Sequence, residues 1–312
     1  MDVPRLKKDV RYSLLLVLFT AAISVAGTEA ADDLPRLRQA VVSGNSGDLR
    51  TLLQLPGVRT LVAQKDNNDL LYLAIEKTCG NRYNGSDASA EELQRSAACD
   101  ERQAQVIKVL LENGAMASIN ATHPRPPALL HAVRLRTPKC VEALLVAGPN
   151  PNIMDNGYRP LPLAAKNGAT APEIVKLLLD AGADPNRGDK EYGAPLVAIL
   201  NYGEWNHDLN DARREKIPGR YELLRTNSKK TVEMLLQAGA DPSVGLQVTL
   251  LHEKPAAADD ELIPMFLAAG GLKQPRYTRD QALEDLVRTK VDRGWPETKY
   301  ARIKKLLETG AP

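Results

Sequence analysis

Gly114, Gly148 and Gly182 follow one another at equal intervals (148 − 114 = 34; 182 − 148 = 34). A chain that restarts every 34 residues builds small units that must stack, because a unit so short cannot bury its own apolar face. The clearest unit runs from Asn156 to Asn186. Asn156-Gly157-Tyr158-Arg159 leads into Pro160-Leu161-Pro162-Leu163-Ala164-Ala165, and Lys166-Asn167-Gly168 ends that segment. Glu173 to Asp180 carries Ile174, Val175, Leu177, Leu178 and Leu179, and Ala181-Gly182-Ala183-Asp184-Pro185-Asn186 closes the unit. Pro160 suits the first turn of a helix and Gly182 suits a left-handed cap. Ala164 and Ala165 are small enough for helices to approach closely. Thr170 and Pro172 predict the cap and first turn of a second helix, whose apolar stripe faces the core.

This unit resembles an ankyrin repeat, whose pattern reads Gly-x-Thr-Pro-Leu-His-x-Ala-Ala, then Gly, then Val-x-x-Leu-Leu, then Gly-Ala-Asp-x-Asn. Tetratricopeptide repeats share a period of about 34 residues, but the Gly-Ala-Asp-Pro-Asn ending and the Pro-Leu-x-x-Ala start decide against them. The resemblance implies an all-α solenoid of about six to seven repeats, some degenerate, with short β-finger loops between helix pairs. It covers most of residues 33–272, strongly in the middle and faintly at both ends.

The opening copy pairs Leu37, Ala40 and Val41 with Leu49, Leu52 and Leu53. The next sets Leu70 to Ile75 against Val106 to Leu111, and the third Leu129 to Val133 against Val141 to Leu145. The fifth begins at Tyr192-Gly193-Ala194-Pro195-Leu196 and resumes at Thr231. In the sixth, Thr249-Leu250-Leu251-His252 reads as the family's helix entry. Polar insertions at 79–99 and 203–230 interrupt two copies. Residues 273–312 predict two further helices, as a terminal cap or degenerate repeat.

Residues 1–30 read as a signal peptide. Arg5, Lys7, Lys8 and Arg11 precede the apolar run Leu14 to Val25, and small residues follow, with cleavage expected after Ala26 or Ala30. That run is shorter than the roughly 20 residues a membrane span wants, so membrane contact is expected only through this segment before cleavage. The chain is therefore expected to be exported, periplasmic or secreted, with an uncleaved anchor as the alternative. Of the three cysteines, Cys79 and Cys99 bracket the first insertion, and a disulfide between them would stabilise by roughly 3 kcal/mol in the chain-entropy picture. Cys140 reads as a small buried residue.

With 41 Lys+Arg against 39 Asp+Glu, no electrostatic pull toward nucleic acid is expected. No phosphate loop, nucleophile elbow or zinc-helix motif occurs. No cofactor, metal or catalysis is expected. Glu204, His207 and Asp208 sit together in the second insertion, but solvent exposure accounts for them as well as a metal does. His131 and His252 read as structural, and His123 lies in a proline-rich finger.

Ankyrin repeats bind proteins through the concave face, so the resemblance implies a non-enzymatic, monomeric binding module with an unknown protein partner. Its tips would include Met154, Tyr158, Lys190 and Tyr192. The two tyrosines either anchor an interface or pack across adjacent fingers. Trp205 and Tyr221 in the second insertion either wall the groove or cover the outer helices. In bacteria the family's habits suggest an immunity protein that neutralises a toxin delivered into the periplasm, or a secreted effector acting on a host or rival cell.

Overall fold

A computed structural model of the chain describes residues 33–63, 69–76, 90–122, 125–167, 172–202, 220–251, 259–273, 276–293 and 295–309. Several expectations fall outside them: the signal segment, Cys79, Gly168, Thr170, His123, Trp205, the Glu204–His207–Asp208 group and His252. Every regular element among the described residues is helical. No helix there is long and apolar enough to cross a membrane.

The chain opens with α1 (33–43), α2 (Ser46–Leu52) and α3 (Pro56–Val62). Then come α4 (Asp69–Glu76), α5 (Ala90–Glu112), α6 (Ala128–Leu135), α7 (Pro138–Val146), α8 (Pro160–Lys166) and α9 (Pro172–Asp180). The last six are α10 (Pro195–Tyr202), α11 (Arg220–Gln237), α12 (Pro242–Leu250), α13 (Asp259–Ala268), α14 (Arg279–Arg293) and α15 (Glu297–Thr309). Proline opens six of them, α3, α7, α8, α9, α10 and α12, where its missing N–H costs no intrahelical bond.

The helices form two rows. Helices α4, α6, α8, α10, α12 and α14 touch in series, and α5, α7, α9 and α11 stack behind them. Each first-row helix also packs on its second-row partner, up to α14 on α15. Between the rows lies one continuous apolar seam, from Leu37 and Leu49 through Leu110, Leu130, Leu144 and Leu178 to Phe266 and Leu307. The glycines that close successive second-row helices, Gly114, Gly148, Gly182, Gly239 and Gly270, have φ between +70° and +113°. At Gly114 close approach adds to the demand, since a Cβ there would lie 2.8 Å from the Cβ of Ala63.

Three expectations need correction. Both insertions are partly helical: α5 starts at Ala90, and α11 runs from Arg220, so each extends a second-row helix. Asp100, 4% exposed in α5, shows one use of that extension. Its carboxylate accepts the Lys139 and Cys140 N–H groups (2.8 and 3.0 Å) and so caps α7. Cys140 is buried there, as expected. The sixth copy is also misplaced in the sequence reading. Thr249 is not a helix entry but lies in the last turn of α12, where its buried hydroxyl donates to Gly245 O (2.8 Å). The helix begins at Pro242, with Asp241 accepting the Ser243 N–H (2.9 Å) as its cap. Finally, α3 extends the opening copy beyond the two expected helices and buries Val58 and Val62.

Candidate functional site

Two loops project between the rows' ends, finger one (residues 149–159) before α8 and finger two (residues 183–194) before α10. Asparagines hold their bases. Asn120 Oδ1 accepts the Asn150 N–H (2.8 Å). Asn152 donates to Gly182 O (3.2 Å) and accepts from Asp184 N–H (2.9 Å). Asn186 repeats the pattern on Gly239 O (2.9 Å) and Asp241 N–H (2.7 Å). Each rung fixes one loop against the next and satisfies backbone groups that no helix can reach.

Finger one is an Asn-Gly hairpin. Asp155 and Tyr158 exchange two backbone hydrogen bonds (3.1 and 2.9 Å) around Asn156 (φ +49°) and Gly157 (φ +89°), the conformation that two-residue hairpins need. Finger two is a residue longer and is organised by Asp189, whose Oδ1 accepts the N–H groups of Glu191 (3.1 Å) and Tyr192 (2.6 Å). The fingers join directly: Lys190 N–H donates to Gly157 O (2.9 Å), and Arg159 N–H donates to Asp189 Oδ2 (3.1 Å).

Tyr158 and Tyr192 are half-buried, with ring centroids 5.8 Å apart. They do pack across adjacent fingers, and each stays partly accessible. A cation from the preceding first-row helix covers each ring. Arg134 of α6 lies 5.3 Å from the Tyr158 centroid. Lys166 of α8 lies 4.7 Å from that of Tyr192 and donates to its hydroxyl (3.2 Å). Such contacts contribute about 0.5–1 kcal/mol at exposed sites. Further along the row Tyr72 stacks on His131 (4.1 Å), and Arg125 lies 5.0 Å over the Tyr72 ring. Burial, and then Arg134, push the His131 imidazole down to about 4. Its Nε2 is buried without a partner, so the neutral ring is a packing element.

Met154 (45% exposed) and Lys190 are exposed, as tip positions should be. Lys190 lays its stem over Gly157, where a Cβ would come within 3.4 Å of it. The backbone of Tyr221 belongs to α11 rather than to a loop. Cys99 is buried in α5. Sequence reasoning missed Arg134, Lys166, Arg125 and Tyr72. The same periodicity that exposed the tyrosines could have found the first two, since each cation precedes its tyrosine by a similar interval (158 − 134 = 24; 192 − 166 = 26). Among the described residues, no cluster of three or more His, Cys, Asp or Glu could hold a metal.

Paired helices in two rows, closed by left-handed glycines and crowned by hydrogen-bonded fingers, define a helical-repeat protein. The family model described as ankyrin repeats (3 copies) matches residues 95–189, and that segment belongs to the ankyrin repeat family. No curated protein matches the chain. Ankyrin repeats suggest a protein–protein interaction module.

Proposed function

We propose that the chain binds one protein partner through the face formed by its fingers and first-row helices, the concave face of an ankyrin stack, and that it acts by binding rather than catalysis. The observation behind this reading is the strip Arg134–Tyr158–Tyr192–Lys166. Rigid aromatic rings that stay partly accessible make good anchors. Arg134, Lys166 and nearby Lys190 have no acidic partner among the described residues. An acidic protein surface suits them better than another basic or apolar one. Met154 extends the strip at the tip of finger one, and Trp205 and Tyr221 would border it from the second insertion. Residues 1–30 would direct export, and a Cys79–Cys99 bond would close the first insertion in an oxidising compartment. The module would act as a monomer.

The test is capture from a periplasmic extract with the mature chain as bait, beside Y158A/Y192A and R134E/K166E variants checked for an unchanged thermal melt. A partner held by the parent chain and lost by both variants is expected. If both variants retain the same partner, the choice of face is wrong. Deleting residues 1–30 should keep the protein in the cytoplasmic fraction; export without them overturns that part of the reading.

A further inference from the structure

The step from finger one to finger two has no counterpart after finger two. Arg159 and Ala194 are equivalent, each directly preceding the proline that opens a first-row helix. Arg159 is held three times over. Its N–H donates to Asp189 Oδ2, its Nε to Gly188 O (3.1 Å), and its Nη1 to Asn152 O. At Ala194 the long side chain is gone, and its N–H has no acceptor among the described residues. The next finger is missing too. Eleven residues take the chain from Asp184 to Pro195 (195 − 184 = 11), whereas Asp241 is followed at once by Pro242 and α12.

A cavity of about 560 Å³ lies where that finger would stand, lined by Asn186, Ala194, Leu196, Asp241, Val244 and Arg276. Its volume is within the usual range for ligand sites of roughly 300–1,000 Å³. Arg276 is exposed and has no acidic partner among the described residues.

We propose that this cavity is a second docking site, taking an aspartate-bearing turn of a partner protein in place of the absent third finger. The occupant's chemistry is copied from within the molecule. Finger two seats on finger one by giving a carboxylate to the Arg159 N–H and a backbone N–H to Gly157 O. A turn docking on finger two would give its carboxylate to the Ala194 N–H, with Arg276 supplying the attraction. Backbone pairing to an open edge is an established way of holding extended segments. The site stands apart from the tyrosine strip and does not depend on it.

The probe is a backbone-cyclised peptide of the finger-two sequence Gly188-Asp189-Lys190-Glu191-Tyr192-Gly193, titrated into the whole chain while the Ala194 amide is followed by NMR. A saturable shift of that amide is expected. Affinity should fall at least tenfold when the peptide carries Asp189→Asn. Protein carrying A194R, which restores the side chain that in finger one donates to Gly188 O, should bind the peptide at least as tightly. R276E is the companion variant, since it reverses an exposed charge and leaves the core alone. An Ala194 amide that does not move, or equal affinity for the Asn peptide, overturns the proposal. So does unchanged affinity in R276E. The Y158A/Y192A protein should bind the peptide normally; loss of binding there would deny this site its independence. Failure of the pull-down alone would count against the strip and not against this cavity.

Discussion

At the scale of single residues, the buried polar groups carry the sharpest consequences. His131 has a folded-state value near 4 against its ordinary 6.5. Above about pH 6.5 the ring is neutral in both states and contributes no pH dependence. As pH falls from about 6.5 to 4 the unfolded chain takes up a proton that the folded chain does not, so stability falls, by up to about 3 kcal/mol in total. Below 4 both forms are protonated and the deficit stays constant. Denaturant melts across this range should show that loss, and H131F, which keeps an aromatic ring against Tyr72, should remove most of it. A slope unchanged in H131F would assign the acid sensitivity elsewhere. The sequence revealed His131 as structural because it lies among Leu129, Leu130, Ala132 and Val133. It did not reveal that Tyr72 would cover it, since that contact spans two repeats.

At the scale of elements, what stands out is how closely α12 and α13 approach. A Cβ on Gly245 would lie 2.3 Å from the ring of Phe266, and that ring is fully buried with nowhere to retreat. G245A should therefore destabilise by about 1–3 kcal/mol through overpacking, although alanine is the better helix former. A melt unchanged or raised in G245A would show that the helices can separate at no cost. Helix identities here were legible only in part. The closing glycines and the Leu-rich stripes marked nearly every pair, including α14 and α15. The start of α12 was hidden because Thr249-Leu250-Leu251-His252 imitates a helix entry, while the true signal, Asp241 followed by Pro242, doubles as the end of the preceding copy. The helical starts of α5 and α11 were obscured for a different reason. Their first turns are polar, so they lack the apolar periodicity that marks a buried face.

For the whole molecule, stability should be passed between neighbours, since each pair touches only the next. The last pair is tied in by the Thr289 hydroxyl donating to Leu250 O (2.7 Å) and by buried Trp295, Ile303 and Leu307. Deleting residues 274–312 should strip hydrogen-exchange protection from α12 and α13 while leaving α8 and α9 close to their original protection. Uniform loss along the chain would mean that the stack melts as one cooperative block. The candidate site was half legible at this scale: the fingers and their tyrosines repeat, but the cavity arises from a finger that is absent, and a missing loop leaves no residues to read. The Asn186 rung has a last implication. It reaches Gly239 and Asp241 across 53 and 55 positions, where Asn152 spans 30 and 32. Both ends of residues 203–219 are thus indexed by helices already locked in place, and doubling a loop's length costs only about 0.6 kcal/mol. The spacing of α10 and α12 is therefore set by this rung and not by the number of residues between them, so the stack accommodates copies of unequal length.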